Sequence, residues 1–359
     1  MAEVKLQNIT VKYEKVTAIK DFSLTVKDGE CFTILGPSPC GKTTILRAIS
    51  GFEKLADGEI FIGDKLVSSK DKRVFYPPEK RNIGVVFQDY AVWPHKTAFE
   101  NIYYPLKKKR VEKNEAHKRT NYVLEQVRMS NYSNRLPSQL SGGQQQRIAL
   151  ARALVSSSQL MLLDEPLTNL DANLREEMRF EIKELQRKNA ITIIYVTHDQ
   201  DIALVISDRI AVMDSNGKIR QIGKPEEVYK NPVDSYVYAF LGLSNFIELE
   251  KKSGKYFIKS TEYAFPYNVP NNFQEEEKLF FASRPLDIKL SKTGEIQCTV
   301  KRVIYLGNIF EYRVMLGEKE VRVQEDVYDV SNNGIIYQEG DICGIGFGEL
   351  KYYSDIGEV

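Results

Sequence analysis

Hydrophobic positions before about Leu241 follow two alternating patterns. Short unbroken apolar runs at Cys31–Leu35, Ile83–Gln88, Leu160–Leu163 and Ile191–Thr197 are of the kind buried on both faces of a sheet. Between them lie longer stretches with helical spacing: Lys42–Ser50, Glu115–Met129, Gly142–Val155 and Ala172–Lys188. This alternation predicts an α/β domain with a mainly parallel sheet. After Gly242 the pattern changes. Polar turns and glycines separate short strand-like segments at Tyr256–Lys259, Leu279–Ala282, Ile296–Leu306, Phe310–Leu316, Glu320–Gln324 and Ile342–Phe347. The expectation is two domains, residues 1–241 of α/β type and residues 242–359 of all-β type.

Composition narrows the picture in three ways. With 50 basic and 49 acidic residues in 359, the net charge is +1, too small to steer the whole chain to nucleic acid or a membrane surface. From Leu243 onward there are 14 basic and 19 acidic residues, a net of −5, which opposes a nucleic-acid groove in the all-β domain. The 4 cysteines (Cys31, Cys40, Cys298, Cys343) are scattered without metal spacing and fit a reducing compartment. No apolar run approaches the roughly 18 residues of a membrane span. The opening MAEVKLQNIT alternates like a strand and has no apolar signal core, so export is not expected.

The chemistry is concentrated in a few motifs. Gly36-Pro37-Ser38-Pro39-Cys40-Gly41-Lys42-Thr43 fits G-x-x-x-x-G-K-[ST], follows the strand Cys31–Leu35 and opens the helix that includes Thr44. Such a loop turns backbone N–H groups and a helix N-terminus toward phosphate oxygens. Lys42 adds a cation for the β/γ-phosphates and Thr43 a hydroxyl for Mg²⁺. Cys40, at that helix start, is expected to have a reactive, low-pKa thiol. Leu160-Met-Leu-Leu-Asp164-Glu165-Pro166 is an apolar strand ending in two acids. Read as strand neighbours, they point to opposite sides: Asp164 toward the metal, Glu165 toward an attacking water. Leu140-Ser141-Gly142-Gly143-Gln144 precedes a second helix and offers a second anion-binding terminus.

Together, GPSPCGKT, LSGGQ and LMLLDEP resemble the ATP-binding cassette of ABC transporters over roughly residues 3–241. The resemblance implies a P-loop NTPase cassette with a helical subdomain, ATP and Mg²⁺ as cofactors, and ATP hydrolysis as the activity. It implies catalytic roles for Glu165 and for His198, in YVTHDQ, which would touch the γ-phosphate. Gln88, in VVFQDY, would join Thr43 and Asp164 at the metal. Tyr13 reads either as the aromatic that stacks on adenine or as an ordinary edge-strand residue. The family also closes Ser141, Gly142, Gly143, Gln144 and Asp171 of one copy over ATP held by the other. A homodimer with two sandwiched ATPs is thus implied.

Further likeness points to importers. The segment Gln88–Asn101 is similar to the region that docks on a permease, and Tyr90, Trp93 and Phe99 are expected to form an exposed aromatic patch there. Ala282-Ser-Arg-Pro-Leu-Asp-Ile288 and Val303-Ile-Tyr-Leu-Gly307 resemble parts of an OB-like accessory (TOBE) domain. Two separate permease subunits or domains, an extracytoplasmic solute-binding protein and a peripheral place at the cytoplasmic membrane face are implied by that likeness. A sugar is the first expectation for the solute, then ferric iron or another inorganic ion, then a polyamine. The chain departs from the family pattern at Pro39 (usually Gly), Gln145 (often basic) and Thr168 (usually Ser). The competing class is an ABC-type ATPase acting on nucleic acid. Chromosome and repair forms separate the two motif halves by a long coiled coil, whereas Lys42 and Asp164 here are 122 residues apart with no heptad run.

Overall fold

The computed structural model describes residues 3–156, 159–168, 170–333 and 335–357. They divide into two compact units, Met1–Asn231 and Pro232–Val359. The division precedes the expected one at Leu241 because the helix Ser235–Phe240 packs with residues of the β-rich unit. Its Tyr238 clusters with Phe246 and Ala282 and lies 4.0 Å from the Arg284 guanidinium.

In chain order the first unit comprises β1 (Val4–Tyr13), β2 (Val16–Val26), β3 (Cys31–Leu35), α1 (Lys42–Ser50), β4 (Asp57–Ile62), β5 (Lys65–Ser69), β6 (Val74–Phe75) and β7 (Gly84–Val86). Next come α2 (Ala98–Lys108), α3 (Lys113–Gln126), α4 (Gly142–Ser156), β8 (Leu160–Asp164), α5 (Ala172–Asn189), β9 (Thr192–Thr197), α6 (Gln200–Ile206), β10 (Arg209–Met213), β11 (Ile219–Gly223) and α7 (Pro225–Lys230). One sheet is antiparallel, in the order β2-β1-β4-β5-β6; the other runs β11-β10-β3-β9-β8-β7 and is parallel except at β10/β11. The parallel strands are buried on both faces, which explains their unbroken apolar runs. Leu160 and Leu162 enter the core shared with α1 and the antiparallel sheet, while Met161 and Leu163 enter the core shared with α2 to α6.

Two elements are shorter than expected. β7 stops at Val86, leaving Gln88 beyond the ladder, and α3 stops at Gln126, after which Arg128 turns left-handed with φ 54°. At Gly84 a side chain is excluded by close packing: a Cβ there would lie 2.4 Å from the Ala153 carbonyl oxygen of α4.

The second unit is almost wholly β, as expected of an OB-like domain. Its strands are β12 (Asn245–Lys252), β13 (Lys255–Ile258), β14 (Lys278–Ser283), β15 (Ile288–Ser291), β16 (Gln297–Tyr305), β17 (Ile309–Leu316), β18 (Lys319–Asp326), β19 (Ile342–Phe347) and β20 (Lys351–Tyr353). They form a four-stranded sheet β13-β12-β14-β20 and a five-stranded sheet β15-β19-β16-β17-β18, both antiparallel, around one core. The alternation of Val321 and Val323 inward with Arg322 and Gln324 less buried is the pattern of such strands.

Arg81 secures the end of α1. It is buried; its Nε donates to the Tyr76 carbonyl at 2.6 Å, and its Nη1 donates to the carbonyls of Ala48 and Ile49 at 2.7 Å each. The Ala48 and Ile49 carbonyls are among the last of α1, which lack partners within the helix. Burial pushes the guanidinium down to about 10. Replacing Arg81 with Met fills similar space but leaves three carbonyls without this donor. Arg81→Met is expected to lower stability by about 2–4 kcal/mol, read as a lower urea midpoint; an unchanged midpoint would show that water replaces the guanidinium without loss.

Candidate active site

Four neighbouring parallel strands end along one edge of the sheet, and each delivers a polar group. The phosphate loop follows β3, His198 follows β9, Glu165 follows β8 and Gln88 lies two residues past β7. A cleft of about 740 Å³ opens there, lined by Ser38–Thr44, Gln88 and Glu165 with Val16–Ala18 and Ser215–Asn216.

The loop is shaped by Gly41. Its φ is 96°, the left-handed region that favours glycine, and a Cβ there would lie 2.4 Å from Ile19 Cδ1. This turn starts α1, so the N–H groups at its first residues are the ones a helix leaves without internal partners. Lys42 is buried, and its Nζ donates to the carbonyls of Gly36 and Pro37 at 2.8 Å each. Pro39 lines the cleft without an N–H to offer.

Thr43 Oγ1 donates to Asp164 Oδ1 at 3.0 Å, joining two of the three expected metal ligands. Burial pushes the Asp164 carboxyl up, and the Thr43 hydrogen bond opposes that shift. Among the described residues no cluster of three or more His, Cys, Asp or Glu side chains could hold a metal. Mg²⁺ takes one or two carboxylates and completes its shell with hydroxyl, water and phosphate oxygens. The donor set of Thr43, Asp164 and Gln88 is all oxygen-capable and suits the ion.

Glu165 does not point away from Asp164 by strand alternation, as its sequence position suggested. β8 ends at Asp164, and Glu165 turns out of the strand with φ 44° while its N–H donates to the Val196 carbonyl at 3.0 Å. The turn, not the pleat, separates the two acids. Glu165 Oε1 is 2.9 Å from His198 Nδ1, and Oε2 accepts from Thr168 Oγ1 at 3.2 Å.

The other sequence candidates sit elsewhere. Tyr13 ends β1, is 38% exposed and is not among the residues lining the cleft; its β2 partner Val16 is. Ser141, Gly142, Gly143 and Gln144 form the start of α4, outside the cleft. There the Gln144 side chain accepts from the Ser141 N–H at 3.0 Å, and Ser141 Oγ accepts from the Gln144 N–H at 3.4 Å. A Cβ on Gly143 would lie 2.4 Å from Leu174 Cδ2, so glycine lets α5 approach. Asp171 caps α5, its Oδ1 accepting from the Leu174 N–H at 3.0 Å. The two motifs thus lie at the starts of neighbouring helices, and neither lines the cleft.

Two further expectations are overturned. The Gln88–Asn101 segment does not present three exposed aromatics. Tyr90 is buried, and Trp93 and Phe99 are half-buried. Trp93 packs against Tyr104 at 4.9 Å and beneath the Arg152 guanidinium at 4.8 Å. Cys40 is also buried, and burial pushes its thiol up against the opposing pull of Lys42, whose Nζ is 3.9 Å away. Sequence reasoning missed Val16–Ala18 and Ser215–Asn216. The second pair belongs to a turn in which Asp214 Oδ1 accepts from the N–H groups of Asn216 and Lys218, both at 3.0 Å. The turn is legible as Asp-Ser-Asn-Gly, but its place beside the phosphate loop is not.

The ABC transporter family model matches residues 19–168. The trehalose/maltose import ATP-binding protein of Thermococcus litoralis is 50% identical over 242 residues, which are 67% of this chain and 65% of that protein. The alignment therefore spans just under two thirds of that relative. The spermidine/putrescine import ATP-binding protein of Thermotoga maritima is 38% identical over 328 residues, 88% of this chain and 87% of that protein. Among solved structures, a dimeric ATP-binding cassette in a post-hydrolysis state bound to ADP and Pi is similar with TM-score 0.54 and 33% identity, covering 62% of this chain and 98% of that one.

The burial of Cys40 has a chemical consequence. A thiol with a raised pKa carries less thiolate at neutral pH, so it reacts slowly and gains reactivity as pH rises. All four cysteines are free and buried. Maleimide is expected to modify the folded chain slowly at neutral pH and the urea-unfolded chain fast, with mass spectrometry locating the label. Rapid stoichiometric labelling of Cys40 in the folded chain would contradict this.

Proposed function

This chain belongs to the ABC transporter family, and we propose that within it the chain is the ATP-hydrolysing subunit of a solute importer whose membrane-spanning parts are separate subunits. As a cassette of this family it binds ATP with Mg²⁺ and hydrolyses it. The observation that carries the catalytic assignment is the meeting of Thr43, Asp164, Gln88 and Glu165 at the phosphate loop, with His198 hydrogen-bonded to Glu165.

Each residue takes one part of the chemistry. Lys42 and the N–H groups of Gly41, Lys42, Thr43 and Thr44 hold the phosphates, with Gly36, Pro37, Ser38, Pro39 and Cys40 forming the rest of the loop. Thr43, Asp164 and Gln88 hold Mg²⁺, which draws charge from the phosphate oxygens when bound. Glu165 orients water and takes its proton. His198 fixes one Glu165 oxygen and faces the terminal phosphate. Tyr13 takes the adenine base on this reading, supported by its strand partner Val16, which lines the cleft. Ser141–Gln144 and Asp171 act on the ATP held by a second copy. Their position outside the chain's own cleft supports that reading, as does the dimeric state of the similar cassette.

Among the described residues no helix is long and apolar enough to cross a membrane. Attachment to two permease subunits or domains at the cytoplasmic face supplies the membrane path, with a solute-binding protein on the far side. The 50% identity to a trehalose/maltose importer subunit favours a sugar as solute. Ferric iron and a polyamine are the alternative readings, because alignments to an Fe(3+) importer subunit and to the spermidine/putrescine relative both extend through both units. Uptake of labelled maltose, ferric iron and spermidine by cells with and without the gene separates the three.

Glu165→Gln keeps the shape of the side chain and removes the base. It is expected to lower steady-state ATP hydrolysis at least about a hundredfold while preserving ATP binding. Gel filtration with ATP should then show a persistent dimer. Near wild-type turnover would refute the base assignment, and strong stimulation of the wild-type ATPase by RNA or DNA would refute the importer reading.

A further inference from the structure

We propose that Thr168 is a positioning residue for hydrolysis, holding the Glu165 carboxylate in the plane from which it takes the proton of water. The inference rests on the assignment of Glu165 as base. Glu165 to Thr168 form a tight turn with Pro166 at its second position, where proline is favoured. The Thr168 N–H donates to the Glu165 carbonyl at 3.3 Å, and the Thr168 hydroxyl returns to Glu165 Oε2 at 3.2 Å. Backbone and side chain of the same residue therefore fix backbone and side chain of Glu165.

The need for a second tether comes from the carboxylate itself. The terminal torsion of a glutamate is broad, so one hydrogen bond fixes an oxygen but leaves the plane free to swing about it. His198 holds Oε1 at 2.9 Å; Thr168 holds Oε2. With both oxygens anchored, the plane has one setting. The left-handed backbone of Glu165, pinned by its N–H to the Val196 carbonyl, fixes where the side chain starts. Thr168 itself is exposed and does not line the nucleotide cleft. Removing its hydroxyl orphans no buried donor, so the effect falls on the chemical step rather than on folding or ATP binding. The β-carbon methyl narrows the rotamers from which the hydroxyl can serve, but the hydroxyl is the working group.

Four variants of the full chain test this: Thr168→Val, Thr168→Ser, Glu165→Gln and the double variant Thr168→Val/Glu165→Gln. Thr168→Val is expected to lower kcat roughly tenfold, about 1.4 kcal/mol of barrier, with the KM for ATP and the urea midpoint unchanged. Thr168→Ser restores most of the rate because it keeps the donor. In the Glu165→Gln background Thr168→Val costs nothing further, since the group it positions is gone. Wild-type kcat in Thr168→Val, or an equal loss in Thr168→Val and Thr168→Ser, overturns the proposal. A Thr168→Val effect on KM alone overturns it too. Near wild-type turnover in Glu165→Gln instead overturns the base assignment beneath it, so the two failures are separate results.

Discussion

Everything at the site depends on the parallel ladder β3-β9-β8-β7 and its register. Leu35 pairs with Thr197, Asp164 with Val196, and Val86 with Leu163, so the strand ends are level. Open parallel sheets bind ligands beyond their carboxyl ends, where the chain leaves each strand and backbone groups are free. Here the ladder also continues past the strands. The Gly36 N–H donates to the Thr197 carbonyl at 3.4 Å and the Glu165 N–H to the Val196 carbonyl at 3.0 Å. Residues far apart in sequence are thereby set within hydrogen-bond reach without any contact specific to them. The Thr43–Asp164 bond is a product of this register, not its cause.

That dependence explains what could be read from the sequence. Gly36–Thr43, Asp164 and Glu165 are recognisable because phosphate and metal chemistry asks for those residue types at strand ends, whereas Gln88 and His198 are marked only by the resemblance of VVFQDY and YVTHDQ to the family's motifs. Residues that line the cleft through shape carry no such mark. Val16, Thr17 and Ala18 lie on an antiparallel strand, which the meeting of two sheets brings to the loop; Ser215 and Asn216 lie on the β10–β11 turn, which reaches the loop because β10 pairs with β3. In the second unit, Ile296–Leu306 and Ile342–Phe347 were legible almost to the residue, whereas β12, β15 and β20 were not. β15 and β20 are short, and the end of β12 is the charged run Glu-Lys-Lys, which obscures its alternation.

Two misreadings share one physical error, which is to weigh a local rule without its surroundings. A helix N-terminus stabilises a thiolate, but at Cys40 the loss of solvent is the larger effect and the thiol shifts upward. Strand alternation separates neighbouring side chains, but it applies only while the chain is in the strand, and Glu165 has left it. Each local rule was valid; burial in one case and a left-handed turn in the other decided the outcome.

The segment after Gln88 shows the same competition in its energetics. Tyr90 and Ala91 both adopt left-handed backbone, with φ 61° and 45°. Each such non-glycine residue costs on the order of 1 kcal/mol. Arg152 of α4 offsets that cost. Its Nη1 donates to the Ala91 carbonyl at 2.6 Å and its Nη2 to the Tyr90 carbonyl at 2.8 Å, both charge-assisted bonds from a buried guanidinium. The same guanidinium covers Trp93, and Asn101 accepts from the Trp93 N–H at 2.8 Å while donating back to its carbonyl at 3.2 Å. The aromatics are therefore drawn inward by partners on α4 and α2, and the loop takes its conformation from those helices. A patch inferred from the loop's own sequence had no access to that pull, because Arg152 lies 61 positions beyond Ala91 and 62 beyond Tyr90.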